Sequence, residues 1–325
     1  MKTLQFLFIL FFAVSCNKKQ THQYTFYYWK TKLALDKKEK EVLQKANDPY
    51  LYTRFFDIDK INGKFQPVGV ITKDKSFETD KQIVPTIFIT NRTFLYISKQ
   101  EITFLAQHIN DLIQKKTSEY HLKTNDEIQI DCDWTVGTKD DYFTFLKELK
   151  KISQKHITCT LRLHQVKDKN QTGIPPVEKV YLMCYSTSSP LKNSDKNSIL
   201  DVTILKSYLS EIDKYPIKSM EVALPIYSWG IVTNHLGKHK LINALSEKDL
   251  ENINFKKISD KEIEILKDGF YFGNYMNKGF RIKVEEISDD QLKDVINFLE
   301  KKIKHFNIVY YQLDSKFVTE QNFNF

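Results

Sequence analysis

The chain has 325 residues, with 49 Lys and Arg against 41 Asp and Glu and a formal charge of +8. Its length allows a large buried core, and 28% charged with 41% hydrophobic residues excludes a largely disordered protein. Four cysteines are too few for a disulfide scaffold. Only four basic residues are Arg and the lysines alternate with acids, so we expect no nucleic-acid partner. No glycine-rich nucleotide motif occurs, and we expect no cofactor.

The first 23 residues have the organisation of an export signal followed by a tether. Lys2 precedes an apolar run over 4–14 that is too short to span a bilayer comfortably. The segment 13–16, Ala-Val-Ser-Cys, resembles the lipobox of bacterial lipoproteins; the alternative is a plain secretory signal. The resemblance implies removal of 1–15, lipidation of Cys16 and a tether over 16–23. We therefore expect a protein of the cell envelope, lipid-anchored at the outer membrane, with its facing left open.

Residues 24–325 alternate strand and helix patterns, which predicts one (β/α)₈ barrel domain and a monomer. An open doubly wound sheet is the alternative, but it usually has glycine-rich turns. An insertion is expected at about 235–287, and the segment 167–176, with Gly173 and two adjacent prolines, is predicted to contain no helix. The predicted strands are 24–29, 51–58, 83–90, 128–133, 157–164, 180–185, 220–227 and 306–312. The predicted helices are 36–46, 99–116, 140–152, 199–212 and 289–303.

Two carboxylates lie on one face of the fourth predicted strand. Asp131 and Asp133 alternate with apolar residues that should face the helices, so both acids should point into the barrel. At this spacing they would be about 6–7 Å apart. Like charges at that distance raise one pKa, which keeps a carboxyl protonated as a general acid.

The fifth predicted strand places Arg162 and His164 beside these acids. Arg162 could form an ion pair with Asp131 or Asp133, which would oppose a general-acid role, or leave them free. The residues alone keep both interpretations open. His164 is a candidate ligand or base at a strand end, although a hydrogen-bonded structural role is the commoner one.

Aromatic residues fall at or near five different strand ends. In a polar cleft such rings form a surface on which sugar rings stack, although aromatic residues also fill barrel layers. These residues are Trp29, Tyr185, Tyr227, Trp229 and Tyr311. Three cysteines, Cys132, Cys159 and Cys184, fall on helix-facing positions and are predicted to be small buried apolar groups. No spacing indicates a metal site.

Segments of four strands, in order along the chain, resemble the family-18 glycosidases (chitinases and endo-β-N-acetylglucosaminidases). These segments are 126–133, 182–185, 222–229 and 311–314. The resemblance implies that Asp133 protonates the leaving oxygen while Asp131 and Tyr185 orient the substrate acetamide. With the rim aromatics, the expected substrate-binding residues are Trp29, Arg162, His164, Met183, Tyr227, Trp229, Tyr311 and Gln312.

The chain departs from that family at several positions. Asp133 stands where the family has its catalytic Glu, Gln129 replaces a motif Asp, and Ser186 replaces the sixth-strand Asp. A carboxyl withdrawn by about 1 Å can lose about 10²-fold in rate. The chain also resembles uncharacterised barrel lipoproteins of Bacteroidota-type bacteria, a likeness that implies a fold and no activity.

Three functions follow from these patterns. The first is a lipoprotein that binds glycan or peptidoglycan fragments without hydrolysing them, with Asp133 held by Arg162. The second is an active retaining glycoside hydrolase with Asp133 free as general acid. The third is a non-enzymatic envelope scaffold, which predicts a shallow rim and an exposed apolar patch.

Overall fold

A computed structural model describes residues 21–192, 195–318 and 323. The predicted signal peptide and Cys16 lie outside these ranges. Within the described ranges, no helix combines the length and apolar character needed to cross a membrane.

The strands and helices alternate over most of the chain. The strands are β1 (Tyr24–Tyr28), β2 (Lys32–Leu33), β3 (Tyr50–Ile61), β4 (Lys64–Val68), β5 (Thr72–Lys73), β6 (Gln82–Ile89), β7 (Glu127–Asp131), β8 (His156–Arg162), β9 (Lys179–Met183), β10 (Ser219–Pro225), β11 (Trp229–Thr233), β12 (His239–Asn243), β13 (Phe255–Ser259), β14 (Glu262–Ile265), β15 (Gly269–Tyr271), β16 (Asn274–Met276), β17 (Arg281–Glu285) and β18 (Ile308–Tyr311). The α-helices are α1 (Lys37–Lys45), α2 (Lys99–Glu119), α3 (Lys139–Ser153), α4 (Leu163–Lys167), α5 (Lys169–Thr172), α6 (Val202–Tyr208) and α7 (Asp289–Glu300).

Eight parallel strands close into a barrel, as the sequence predicts. Their order is β1-β18-β10-β9-β8-β7-β6-β3, and β3 pairs in turn with β1. Because β1 is hydrogen-bonded to a parallel strand on each side, the alternative of an open sheet is excluded. The antiparallel β4 forms a hairpin with the end of β3, through a turn at Asn62 and Gly63, both with positive φ.

Three of the helices, α1, α2 and α7, begin where their sequences supply capping boxes. Asp36, Ser98 and Ser288 each accept a hydrogen bond from the backbone of the residue three positions on. The side chain of that residue bonds back to the cap, which satisfies two otherwise unpaired donors. Because each helix returns the chain antiparallel to the strands, these caps lie at the carboxyl ends of the barrel strands, which we call the mouth.

Two sequence predictions are wrong near the fifth barrel strand. β8 ends at Arg162 and α4 begins at Leu163, so His164 lies on an exposed helical turn and not at a strand end. The segment 167–176 contains the short helix α5, which ends at Gly173. Gly173 has φ +77°, so the glycine that was expected to exclude a helix ends one instead.

The insertion between the seventh and eighth barrel strands forms an antiparallel sheet. Its order is β12-β11-β17-β14-β13, and it runs from Trp229 to Glu285, whereas about 235–287 was predicted. A separate apolar cluster that includes Val232, Ile265 and Ile282 fills one side of the sheet. Because the insertion begins and ends beside the mouth of the barrel, it contributes residues to the rim of the mouth.

Candidate functional site

The mouth contains a cleft of about 550 Å³, here called the first cavity. Most of the residues predicted for the site line it. They are Trp29, Asp131, Arg162, Met183, Tyr185, Tyr227, Trp229, Tyr311 and Gln312. Residues that are far apart in the sequence meet here because parallel barrel strands all end at the same face.

Asp131 is the last residue of β7 and faces the barrel interior, as the alternation of the strand predicts. It is buried, with 4% of its surface exposed, and accepts a hydrogen bond of 2.7 Å from Thr160 Oγ1 on the neighbouring β8. Burial raises the pKa of Asp131 to about 6, Arg162 opposes the rise, and Asp133 adds to it. The carboxyl with the raised pKa is therefore Asp131, and burial contributes more to the rise than the neighbouring acid does.

Asp133 lies just beyond β7 and forms an ion pair with Arg162. The Nε of Arg162 donates to Oδ1 of Asp133, and its Nη2 donates to Oδ2 at 3.4 Å. The same Nη2 lies 3.9 Å from Oδ1 of Asp131. Burial works against the charge on Arg162, but the two aspartates hold its pKa above the ordinary value. Of the two interpretations that the sequence left open, the structure contains the ion pair.

A second cavity of about 430 Å³ adjoins the first. Asp133 and His164, the two predicted site residues that do not line the first cavity, both line the second. The two cavities share Arg162, Tyr185 and Ser186 in their walls. The structure thus brings all the predicted substrate-contacting residues to one face, in two adjoining compartments.

Aromatic rings form one continuous wall of the first cavity. Tyr185 and Tyr311 stack at 5.5 Å between ring centroids, and Tyr227 meets Tyr311 edge-on at 5.6 Å. Trp29 and Trp229 extend the wall, at 5.7 Å from Tyr311 and 5.3 Å from Tyr227. Mutual packing fixes the rings in place before any ligand arrives, which lowers the entropic cost of binding.

Sequence reasoning missed Glu285, the residue that positions Trp229. Glu285 is buried and accepts hydrogen bonds from Trp229 Nε1 at 2.9 Å and from the backbone N–H of Ser198 at 3.0 Å. Glu285 lies directly opposite Trp229 in the pairing of β17 with β11. Only the register of the inserted sheet reveals this contact.

Other cleft residues were also missed or not selected. Asn243 and Ala244 come from the insertion, Asp57 comes from β3, and Asp314 follows β18. Both of these carboxylates have cationic partners, because Arg54 Nε donates to Asp57 at 2.7 Å and Lys30 lies 3.5 Å from Asp314. Paired acids of this kind do not make the cleft strongly anionic.

The described residues contain no group of three or more His, Cys, Asp or Glu side chains placed to hold a metal ion. Cys132, Cys159 and Cys184 are free and buried, as predicted. Burial raises the pKa of the Cys159 thiol to about 12, so it is not a ready nucleophile.

The chain is similar to solved barrel structures at low sequence identity. No family model matches the sequence, and no curated protein matches it. Among solved structures, it is similar to the spore cortex-lytic enzyme SleL of Bacillus cereus, with a TM-score of 0.56 and 14% identity over 91% of this chain and 71% of that one.

Two chitinase structures show the same likeness. The C-terminal domain of a proposed chitinase from Desulfitobacterium hafniense DCB-2 gives a TM-score of 0.58 at 13% identity, over 93% of this chain and 96% of that one. The chitinase Chi1 of the Yersinia entomophaga toxin complex gives 0.52 at 9% identity, over 91% and 84%. At these identities the likeness shows a shared barrel fold.

Proposed function

We propose that this protein binds N-acetylhexosamine-containing glycans in the mouth of its barrel without hydrolysing them. The observation that carries the proposal is the ion pair between Arg162 and Asp133. A general acid needs a carboxyl O–H aimed at the leaving oxygen. Asp133 instead uses both oxygens as acceptors for one guanidinium.

The other polar groups of the first cavity, those of Asp131 and Tyr185, suit the binding of a ligand. Asp131 has one hydrogen bond from a side chain, from Thr160, and still has acceptor capacity toward the cleft. Burial raises the pKa of Tyr185 well above its ordinary value, so its hydroxyl remains a donor. An acceptor and a donor beside a wall of rings match an acetamide group and the apolar face of a sugar ring. The glycosidase-like fold supports the same ligand class.

The proposal is tested by measuring binding and turnover together. The protein is titrated with N-acetylglucosamine oligomers and with peptidoglycan fragments by calorimetry, and the release of reducing ends is followed over a day. We expect binding without turnover. Trp29→Ala should weaken binding by about tenfold, the scale of one lost aromatic contact. Phe270→Ala is the matched control, since this ring is 79% exposed on the insertion, away from the cleft.

The outcomes separate the three functions. Reducing-end release by the wild type that disappears in Asp133→Asn would establish an active hydrolase and overturn the proposal. Absence of both binding and release would favour the scaffold function. Equal binding by Trp29→Ala and the wild type would place the ligand outside the first cavity.

We further propose that the protein is anchored in the outer membrane through lipid on Cys16. The sequence over residues 1–23 supports this proposal. In cells fed a labelled palmitate analogue, the wild type should carry the label and partition with membranes, whereas Cys16→Ser should lose both properties. Label that persists in Cys16→Ser would contradict the proposed site.

A further inference from the structure

His22 holds the chain just before β1 at the end of the barrel opposite the mouth, here called the base. The barrel strands run from the base to the mouth, and β1 begins at Tyr24. The side chain of His22 is only 3% exposed and stacks on Phe306, with 4.2 Å between ring centroids. Its Nδ1 lies 2.8 Å from the carbonyl oxygen of Phe306, and its Nε2 lies 3.0 Å from Oε1 of Glu300. These contacts fix the point at which the preceding residues join the barrel.

The length of the chain between Cys16 and His22 limits how an anchored barrel can lie on a membrane. Even fully extended, the six residues 16–21 span about 20 Å. The barrel is taller than that, because α2, which runs from the mouth to the base, has 21 residues and is about 30 Å long. A lipid on Cys16 would therefore hold the base close to the bilayer and would keep the mouth from docking on it.

The charges of the barrel differ between its two ends. Acidic residues lie in the first turns of α1, α2, α3 and α7, at the mouth, and lysines lie in the last turns of α1, α2 and α3, at the base. Helix dipoles favour this arrangement, and across the whole barrel it places positive charge at the base. Five lysines of the base are exposed and have no carboxylate within ion-pair distance in the part of the chain that the structure describes: Lys45, Lys115, Lys123, Lys151 and Lys301.

We propose that the base is the surface that faces the membrane, where its exposed lysines contact anionic lipid headgroups. This inference rests on the proposed anchor at Cys16 and extends it. The short tether excludes an orientation with the mouth against the membrane. Each lysine near an anionic membrane surface favours that position by about fivefold, so the lysines favour an upright barrel over one that lies on its side. The mouth then opens about 30 Å or more from the bilayer, toward glycans that are not headgroups of the same leaflet.

Two fluorescent labels on α2 test this orientation. Gln100 and Ser118 are both exposed. They are 18 residues apart, which is five helical turns, so they lie on one face of the helix and about 27 Å from each other along its axis. Gln100→Cys carries the label at the mouth end and Ser118→Cys carries it at the base end. The native free cysteines of the barrel are buried, so the label reacts at the introduced thiol.

Each lipidated protein is added to preformed vesicles of phosphatidylcholine and phosphatidylglycerol that carry a quencher on their lipid headgroups. We expect the label of Ser118→Cys to lose its fluorescence and the label of Gln100→Cys to keep it. On vesicles of phosphatidylcholine alone, the difference between the two labels should be smaller, because only the tether then orients the barrel.

Charge-reversal variants separate the effect of the lysines from that of the tether. Lys123→Glu combined with Lys151→Glu removes positive charge from the base and should narrow the difference between the labels on anionic vesicles. Lys64→Glu combined with Lys99→Glu is the matched control, since it reverses two exposed lysines at the mouth end. This control should keep the full difference. A base variant that also keeps the full difference would show that the lysines do not contact the headgroups.

The remaining outcomes distinguish the orientation from the anchor. Equal quenching of the two labels on anionic vesicles indicates a barrel that lies on its side, and stronger quenching of the Gln100→Cys label places the mouth against the membrane. Both results overturn the proposed orientation and leave the anchor standing, because the protein is still bound to the vesicles. A protein that carries no lipid and stays in solution contradicts the anchor at Cys16 and the orientation with it.

Discussion

The two ends of the barrel each hold a buried carboxylate on the inner face of β7 beside a cavity of about 550 Å³, but the two carboxylates have different surroundings. Glu127 begins the strand, away from the mouth. It accepts hydrogen bonds from Lys179 Nζ at 2.5 Å, Thr158 Oγ1 at 2.8 Å and Tyr181 Oη at 2.8 Å. Three donors, one of them cationic, compensate its burial.

Asp131 ends the same strand at the mouth. It has one close side-chain donor, Thr160, and a cation no nearer than 3.9 Å, and burial raises its pKa to about 6. Buried polar groups in folded proteins are normally satisfied. A carboxyl that has a single close donor and faces a cleft is therefore a candidate for contact with a ligand.

On one strand, Glu127 is a buried carboxylate with a structural role, and Asp131 is a buried carboxylate that is available to a ligand. Glu127 should matter for stability and have little effect on ligand binding, whereas Asp131 should limit stability and be required for binding. Cavity size does not distinguish the two ends; the number of donors around each carboxylate does.

Removing Glu127 should have the largest effect. Glu127→Ala leaves Lys179 without its acceptor and removes one of the two hydrogen-bond partners of the buried Tyr181 hydroxyl, so we expect a loss of about 3–5 kcal/mol in the free energy of unfolding. Urea denaturation measures this loss. Lys218→Ala breaks an exposed pair with Glu178 at the same end of the barrel and should match the wild type. A Glu127→Ala protein as stable as Lys218→Ala would show that the donors around Glu127 do not stabilise the fold.

Much of the barrel could be predicted from the sequence because its signals are local. Apolar alternation places Asp131 on the inner face and Cys132 on the outer one, and a capping box such as that of Ser98 fixes where a helix begins. Closure of the sheet then follows from the number of strands and the order of strands and helices. The same reasoning brought the rim aromatics together, since parallel strands end at a common face.

The remaining features depend on contacts that are distant in sequence. Trp229 is held by Glu285 only through the register of the insertion, and Asn243 reaches the cleft only because that sheet folds back on the rim. The choice between a free and a paired Asp133 depended on whether Arg162 reached it, a matter of side-chain geometry that strand alternation does not determine. His164 was misplaced because the strand ends two residues earlier than its β-prone pattern does.

The pH dependence of stability tests the smaller of the two expected effects, the one at Asp131. The pKa of Asp131 in the folded protein, about 6, lies above its ordinary value of 3.8, so the folded state binds this proton more tightly than the unfolded state does. The resulting stabilisation is complete below about pH 4 and is lost as the pH rises through 6. Asn cannot titrate, so Asp131→Asn should lack this loss. Between pH 4 and 7 the wild type should therefore lose about 2–3 kcal/mol more than the variant.

Urea denaturation at several pH values measures that difference, with Asp140→Asn as the control because Asp140 is an exposed acid at the start of α3. The control should follow the wild type throughout. Parallel wild-type and Asp131→Asn curves would mean that Asp131 is as well compensated as Glu127, and the contrast between the two ends would fail. If the curves diverge as expected and Asp131→Asn also loses glycan affinity, the carboxyl that limits stability is the one that contacts the ligand. This is the relation expected where a protein retains an undercompensated buried acid for binding.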